Sequence, residues 1–229
     1  AIGRQAMCKT TTGPSNTAVG AFALCANTTG TENVAVGYHS LKLNTTARQN
    51  TALGTSALRD NTTGACNTAV GFNNLVLNTT GVCNTSVGRA AMDANTTGDF
   101  NVAVGNNALS TNTTADSNTA VGNHALALST TGTLNTMVGC CSGAAITTGQ
   151  QNSGLGINAL QATTTGSRNT ATGGSSFAAN TTGNDNTAVG HAALSANTTA
   201  HNNTAVGRAS LQANTEGHSN VAVGAEALK

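Results

Sequence analysis

The sequence contains no tryptophan and one proline, only 2% of its residues are aromatic, and only 7% are charged. Its apolar residues are mostly alanine, valine and leucine, so any core must be thin, with opposing backbones close together. Disordered chains are usually rich in charge and proline, whereas this one carries regularly spaced valines and leucines. We therefore expect an ordered chain that is not an ordinary globular domain.

Charge gives no sign of an electrostatic partner. Nine basic and eight acidic side chains are scattered along the chain and leave a net charge of +1. Nucleic-acid binders cluster Lys and Arg with stacking aromatics, and the sequence shows no such cluster, so we expect no nucleic-acid partner. No apolar run is long enough to cross a bilayer as a helix, so we expect no membrane span in this segment.

One repeated unit accounts for the whole sequence. The segment Asn16-Thr17-Ala18-Val19-Gly20 returns with a strict 17-residue period, without insertion or deletion, with its asparagine at Asn33, Asn50, Asn67, Asn84, Asn101, Asn118, Asn135, Asn152, Asn169, Asn186, Asn203 and Asn220. The consensus is N-T-A-V-G-x-x-A-L-x-x-N-T-T-G-x-x, and its positions are numbered 1 to 17 from the first asparagine. This strict period predicts one stacked coil per unit, about thirteen coils in a single continuous array over 1–229.

Positions 1 to 5 predict a short β-strand that ends in a corner. Position 2 is mostly Thr or Val, position 3 mostly Ala and position 4 mostly Val, so alternate side chains point to opposite faces. Glycine occupies position 5 of every copy, where it suits a positive φ or a close backbone approach. These turn glycines include Gly20, Gly37, Gly54, Gly71, Gly88, Gly105 and Gly122.

The rest of the unit predicts a second core position and a closing turn. Position 9 is mostly Leu, and the unit closes with Asn-Thr-Thr-Gly, whose glycine permits a left-handed residue. The recurring glycines and β-branched residues disfavour a helix. We therefore predict an all-β chain, a parallel β-solenoid or β-roll of 17-residue coils, with stacked asparagines at position 1 or 12 bonded as ladders.

The predicted core of one coil is small, because it consists of the position-4 valine and the position-9 leucine. Their burial offsets little of the conformational entropy lost when the whole coil becomes ordered. We therefore expect the alanine face of the strand, at position 3, to pack against another chain in a parallel trimer or filament.

The residues N-T-A-V-G-x-x-A-L-x-x-N-T-T-G, which recur over the whole chain, resemble the repeats of phage and bacterial tail-fibre-like proteins. More distantly, the Thr-Ala-Val-Gly core resembles head repeats of trimeric autotransporter adhesins. The resemblance implies a homotrimeric fibre outside the cell or on a virion, used for reach or for attachment to a host-surface glycan or receptor. Family members often carry Tyr after the position-5 glycine, and here Tyr38 and Phe72 are the aromatics at that position.

Histidine and acidic residues form no catalytic or metal-ligating pattern. Two of the five histidines, His201 and His218, share position 16 in adjacent coils, but no carboxylate or thiolate matches them. We interpret the histidines as solvated surface residues: His39, His124, His191, His201 and His218. Asp99 and Asp116 also stack at position 16, which indicates a solvated edge or one bridged by a cation. No Ser, His and Asp recur together, so we expect no enzyme activity, no metal and no cofactor.

Cysteines at equal positions of adjacent coils form two candidate disulfides, Cys8 with Cys25 and Cys66 with Cys83. A coil spacing of about 4.8 Å lies within the Cα separation of roughly 4.4–6.8 Å that a disulfide needs. This favours an oxidising compartment. The adjacent Cys140 and Cys141 do not fit such a bridge and are either free or paired across chains.

Asn-x-Thr acceptors for N-glycosylation recur in the closing turn, at Asn27, Asn44, Asn61, Asn78, Asn95, Asn112, Asn180 and Asn197. Turn geometry alone explains the motif, and glycosylation is the alternative.

Three functions remain open, namely a fibre or adhesin shaft, an ice-binding solenoid and a carbohydrate-binding scaffold. Threonine columns at positions 2, 13 and 14 favour ice binding. However, adjacent residues such as Thr28 and Thr29 do not share one flat face, so we favour the shaft.

Two further expectations concern the course of the array. The sequence begins and ends within a unit, so we expect a longer array in the parent protein. Between 139 and 177, Gly143 replaces the core leucine, Gly154 replaces the alanine and Ile146 replaces the turn asparagine. We expect these coils to be the least regular, because each change removes core volume or alters a turn.

Overall fold

The computed structural model describes residues 1–229 as an all-β chain of thirteen three-residue strands. The strands are Thr17–Val19 (β1), Val34–Val36 (β2), Thr51–Leu53 (β3), Thr68–Val70 (β4), Thr85–Val87 (β5), Val102–Val104 (β6), Thr119–Val121 (β7), Thr136–Val138 (β8), Ser153–Leu155 (β9), Thr170–Thr172 (β10), Thr187–Val189 (β11), Thr204–Val206 (β12) and Val221–Val223 (β13). Within the residues 1–116 and within the residues 117–229, the strands pair in parallel and in chain order. The predicted parallel β-solenoid of 17-residue coils is confirmed.

Two compact units divide the chain, Ala1–Asp116 with β1–β6 and Ser117–Lys229 with β7–β13. Within the first unit Ala18 pairs with Ala35, and within the second Ala188 pairs with Ala205. Each position of a coil therefore lies against the same position of the next coil, and side chains of one kind form columns. The structure contains no helix of the length and hydropathy that crossing a membrane requires.

The position-5 glycine makes the corner that the sequence predicts. Its φ lies between +125° and +140° in all fourteen copies, a range in which other residues are strained. Space is a second constraint, because a Cβ built on Gly37 would lie 2.4 Å from the carbonyl oxygen of Gly54, one coil further on. Glycine is therefore required both by the local conformation and by the coil spacing.

Left-handed residues continue the path after the corner. Residues other than glycine at positions 7, 9 and 17 have φ between +47° and +61°, and each costs on the order of 1–3 kcal/mol. Hydrogen bonds between coils hold them, since the Leu24 N–H donates to the Ser40 carbonyl at 3.0 Å. The prediction that the closing-turn glycine permits the left-handed residue is wrong. Gly30 has no positive φ, and the left-handed residue is at position 17, where Glu32 stands.

The core lies on the opposite face of the strand from the one predicted. The position-3 alanines are buried together with positions 8 and 9, as in Ala18, Ala23 and Leu24, whereas Val19 at position 4 is 36% exposed. The expectations that the position-4 valine is core and that the alanine face packs on another chain are therefore wrong. Alanine suits position 3 because the opposing turn, with its leucine, leaves room for little more than a methyl group.

Two asparagine ladders meet at one carbonyl group in most complete coils, the exceptions being those with Ser129, Ile146 or Thr163 at position 12. In the coil 84–100, the Nδ2 atoms of Asn84 (position 1) and Asn95 (position 12) both donate to the carbonyl oxygen of Gly98, at 2.8 and 3.1 Å. Between coils, Asn95 Nδ2 also donates to Asn78 Oδ1 at 2.8 Å, and the Asn84 backbone N–H donates to Asn67 Oδ1 at 2.9 Å. The predicted ladders are confirmed at both positions, and their side chains are buried.

The coils between 139 and 177 keep the backbone register. Strands β8, β9 and β10 pair position by position, and the expected loss of core volume is wrong because buried Met137 refills the space. A Cβ on Gly143 would lie 2.7 Å from the Met137 sulfur, and a Cβ on Gly154 would lie 2.6 Å from it. The irregularity is confined to side chains, since Ile146 and Thr163 replace ladder asparagines.

This packing predicts a compensating triple substitution. Met137→Ala should lower the free energy of unfolding by about 2–5 kcal/mol, because it leaves a cavity beside two glycines. The consensus variant Met137→Ala, Gly143→Leu, Gly154→Ala should recover most of that loss in denaturant titrations. A single variant as stable as the triple one would contradict the account.

The ladder predicts a second loss. Asn67→Ala removes the acceptor of the Asn84 N–H and the donor to the Gly81 carbonyl, so it should cost about 2–4 kcal/mol. The exposed Thr63→Ala is the matched control and should change the free energy of unfolding by less than about 0.5 kcal/mol. Equal effects of the two substitutions on thermal melting would refute a stabilising role of the ladder.

Candidate interaction surfaces

The outward face of the sheet is an uncharged strip two side chains wide. It consists of positions 2 and 4 of β1–β6 in the first unit and of β7–β13 in the second, and every residue there is Thr, Ser, Val or Leu. Nothing within the chain covers it, so valines such as Val36 and Val206 are 37% and 36% exposed. We call this surface the Thr/Val strip. The sequence pattern placed the position-4 valines in the core. The structure corrects this prediction, because these valines lie in the exposed strip.

The threonines of the closing turn play a different part. At position 13 the hydroxyl donates to a backbone carbonyl of the next coil, as Thr28 Oγ1 does to the Thr45 carbonyl at 3.0 Å. Position-14 threonines such as Thr29 are exposed. The two columns therefore differ in environment, in line with the expectation that adjacent residues such as Thr28 and Thr29 do not share one flat face.

Position 16 carries a column of hydrogen-bond acceptors that the sequence did not reveal. In the first unit the Val82 N–H donates to Asp99 Oδ1 at 2.7 Å, and the Asp99 N–H donates to Asp116 Oδ1 at 2.7 Å. The two carboxylates thus accept backbone N–H groups, which gives their stacking a structural reason besides solvation.

Histidine fills the same role in the second unit. The Asn184 N–H donates to His201 Nδ1 and the His201 N–H to His218 Nδ1, both at 2.9 Å, and the two rings stack with centroids 5.2 Å apart. These two histidines are surface residues, as expected from the sequence, and in addition their rings accept backbone N–H groups. No group of three or more His, Cys, Asp or Glu side chains is placed to hold a metal ion.

The first cysteine pair lies close together. Cys8 Sγ and Cys25 Sγ are 2.7 Å apart, with both thiols free. Burial, and then the Cys8 thiol, raises the pKa of the Cys25 thiol. The sequence placed this pair together correctly, and its oxidation stays a prediction.

The other four cysteines are also free thiols near the surface. Burial, and then Cys66, raises the pKa of the Cys83 thiol. Cys140 Sγ lies 3.4 Å from Cys141 Sγ, and a hydrogen bond with Cys140 raises the pKa of the Cys141 thiol. Cys141 lines a shallow recess with His124 and Leu128, but a thiol with a raised pKa is a poor nucleophile at neutral pH.

The Asn-x-Thr acceptors are not accessible in the folded chain. All eight are fully buried: Asn27, Asn44, Asn61, Asn78, Asn95, Asn112, Asn180 and Asn197. Their Nδ2 atoms donate within the ladder, as Asn44 Nδ2 does to Asn27 Oδ1 at 2.9 Å. The folded coils therefore do not present these amide nitrogens for glycosylation.

Aromatic rings gather on one edge of the first unit, at positions 6 and 7. Phe22 and Tyr38 meet edge to face with centroids 6.3 Å apart, and His39 stacks on Tyr38 at 3.8 Å. The Arg4 guanidinium lies 4.9 Å and the Lys42 ammonium 5.9 Å from the Phe22 ring centre. The sequence pattern did not reveal this cluster, because Phe22 and Tyr38 come from adjacent coils and from different positions within them.

Burial, and then the charges of Lys42 and Arg59, lowers the pKa of His39. The shift favours the neutral imidazole. The positive charge of this edge comes from arginine and lysine.

Comparison of the chain with protein-family models, curated proteins and solved structures gives no match.

The cysteine geometry predicts oxidation at two sites. Under mild oxidant, Cys8–Cys25 and Cys66–Cys83 should form disulfides, faster as the pH rises, because the attacking species is the thiolate and the raised pKa values delay it. Peptide mapping after alkylation should find both bridges within one chain. The adjacent Cys140 and Cys141 serve as the internal control, because we expect them not to bridge to each other. Four freely alkylated thiols at the paired positions would contradict the prediction.

Proposed function

We propose that this chain is the shaft of a self-associating fibre, which acts mechanically and carries no chemistry. The observation that supports the proposal is the Thr/Val strip, a continuous uncharged surface that the chain itself leaves open. Six strands of three residues cover about 10 by 29 Å, roughly 290 Å² in the first unit alone. The strip of the first unit is therefore about as large as the largest apolar patch on a typical soluble monomer, and such patches often bind a partner.

A second copy of the same chain suits this surface. Every column of the strip repeats one residue type at one spacing, so parallel copies would present matching ridges of valine and threonine methyl groups. Each valine that becomes fully buried contributes on the order of 1 kcal/mol, and no charged group has to lose its hydration. Around a three-fold axis each strip would contact the strips of two neighbours, through heterologous interfaces that close a ring. A parallel homotrimer packed through the strip, rather than through the alanine face, is the arrangement that we propose.

Such a shaft would lie outside the cell, on a cell surface or on a virion, as a tail-fibre or adhesin repeat region for projection and attachment. The repeat consensus supports this role through its resemblance to those families. The stacked cysteine pairs also support it, since they would act as staples in an oxidising compartment.

Ice binding is the second candidate, and the strip also favours it. Position 2 is Thr in nine of the thirteen strands, and position 4 is Val or Leu in twelve of the thirteen. This places hydroxyl and methyl groups on a regular two-dimensional net with repeats of about 4.8 Å between coils and about 6.6 Å along the strand. The adjacency of Thr28 and Thr29, which disfavours ice binding at the closing turn, has no bearing on this face. Self-association ranks first because it also buries the valines.

Sedimentation velocity tests the proposal. The wild-type chain should be an oligomer, and Val36→Glu, Val87→Glu, Val189→Glu and Val206→Glu combined should make it a monomer, because a buried unpaired carboxylate is costly. The matched control combines Thr29→Glu, Thr80→Glu, Thr182→Glu and Thr199→Glu at exposed position 14 and should stay oligomeric.

A wild-type chain that remains monomeric at high concentration would refute the shaft. Thermal hysteresis of that monomer, abolished by the valine substitutions but retained in the threonine control, would then establish ice binding.

A further inference from the structure

The aromatic cluster of the first unit belongs to a longer edge that the Thr/Val strip does not include. Positions 6 and 7 follow the glycine corner and lie outside the strip, and Tyr38 and Phe72 at position 6 are about half exposed. We define the aromatic edge by the outward side chains Arg4, Phe22, Tyr38, His39, Lys42, Phe72 and Arg89. Ligand binding at this edge does not depend on the proposed function.

Two rings on this edge lie outside the core of the coil. Tyr38 is 49% and Phe72 is 51% exposed, and both stand at position 6, two coils apart. At about 4.8 Å per coil their separation along the edge is about 10 Å. Thr55 at position 6 of the coil between them is a smaller side chain. The edge therefore presents two flat apolar rings in a row. Their exposure to water is unfavourable.

The charges on this edge are of one sign. Arg4 and Arg89 flank the two rings in the position-6 column, and Lys42 lies beside Phe22. None of the three forms an ion pair in the chain, whereas Arg59 is paired with Asp60. Positions 6 and 7 of the first unit contain no Asp or Glu, and the position-10 column that includes Lys42 contains one carboxylate, the half-buried Asp93. The available positive charges are therefore left for a partner.

We propose that the aromatic edge binds an acidic polysaccharide, whose sugar rings stack on Tyr38 and Phe72 and whose carboxylate or sulfate groups pair with Arg4, Lys42 and Arg89. A pyranose ring presents C–H groups that fit one aromatic face, and an arginine fork fits an oxyanion. A ligand of this kind needs one free face on each ring, which suits Tyr38 because His39 covers the other.

A nucleic-acid strand fits the edge less well. It carries one phosphate per nucleotide, and its binding depends on cations that follow the backbone closely. Here three unpaired cations are spread over six coils, from Arg4 to Arg89, a span of about 24 Å. The Phe22 ring is also less open for stacking a base, because Arg4 and Lys42 lie 4.9 and 5.9 Å from its centre.

Binding of defined polymers to the whole chain tests the proposal. The chain should bind hyaluronan or dextran sulfate at least tenfold more tightly than uncharged dextran, and added salt should weaken the binding. Comparison of hyaluronan with dextran sulfate shows whether a carboxylate or a sulfate is preferred. The double variant Tyr38→Ala, Phe72→Ala should weaken binding at least tenfold, and so should Arg4→Gln, Lys42→Gln, Arg89→Gln.

The second unit provides the matched control. Ile157 and Arg208 stand at the same position 6, so Ile157→Ala with Arg208→Gln should leave the affinity within twofold of the wild type. An unchanged melting temperature checks that each variant folds. We expect this result because the substituted side chains are exposed. Equal losses in the control variant, or no preference for the acidic polymers over dextran, would overturn the proposal. Binding of poly-deoxythymidine as tight as that of the acidic polysaccharides would overturn it in favour of a nucleic-acid partner.

Discussion

The carbonyl group at position 15 is the point on which the rest of the coil depends. Gly98 accepts from two buried asparagines of its own coil, Asn84 at the start of the strand and Asn95 at the end of the second turn. The three groups meet only if the chain between them has a fixed length and path. An inserted residue would separate them and leave buried amides unpaired, each at a cost of about 1–3 kcal/mol. This constraint gives a physical reason for a repeat length that never varies along the chain.

The same closure makes the interior narrow. Strand and turn approach so closely that position 3 has room for alanine and position 9 for one leucine, and Met137 enters only where Gly143 and Gly154 give way. Because this core is so thin, a large share of the stabilisation has to come from hydrogen bonds between coils, which also hold the left-handed residues of positions 7, 9 and 17. The apolar residues that do not fit inside, the position-4 valines, then form the outer surface.

The solenoid therefore has outward surfaces of different chemistry. The Thr/Val strip is uniform and uncharged, and its uniformity suits a partner with the same repeat, either another copy or the lattice of ice. The aromatic edge is variable and positively charged, and its few rings and cations suit a specific acidic ligand. A shaft with one surface for assembly and another for recognition could use both at once, because they occupy different positions of the coil.

The sequence by itself determined the coil length, the parallel register, the glycine corner, the asparagine ladders and the stacking of Cys8 with Cys25. These follow from an unbroken period, which puts equal positions of adjacent coils together whatever the detailed path. Tertiary structure decided which face is inside. Alternation along a three-residue strand separates Ala18 from Thr17 and Val19 but does not say which side is buried. The larger apolar side chain of valine made it the expected core residue. The closing turn, its left-handed residues and the grouping of Phe22 with Tyr38 likewise required the path of the backbone, because they depend on distances across the coil rather than on the repeat.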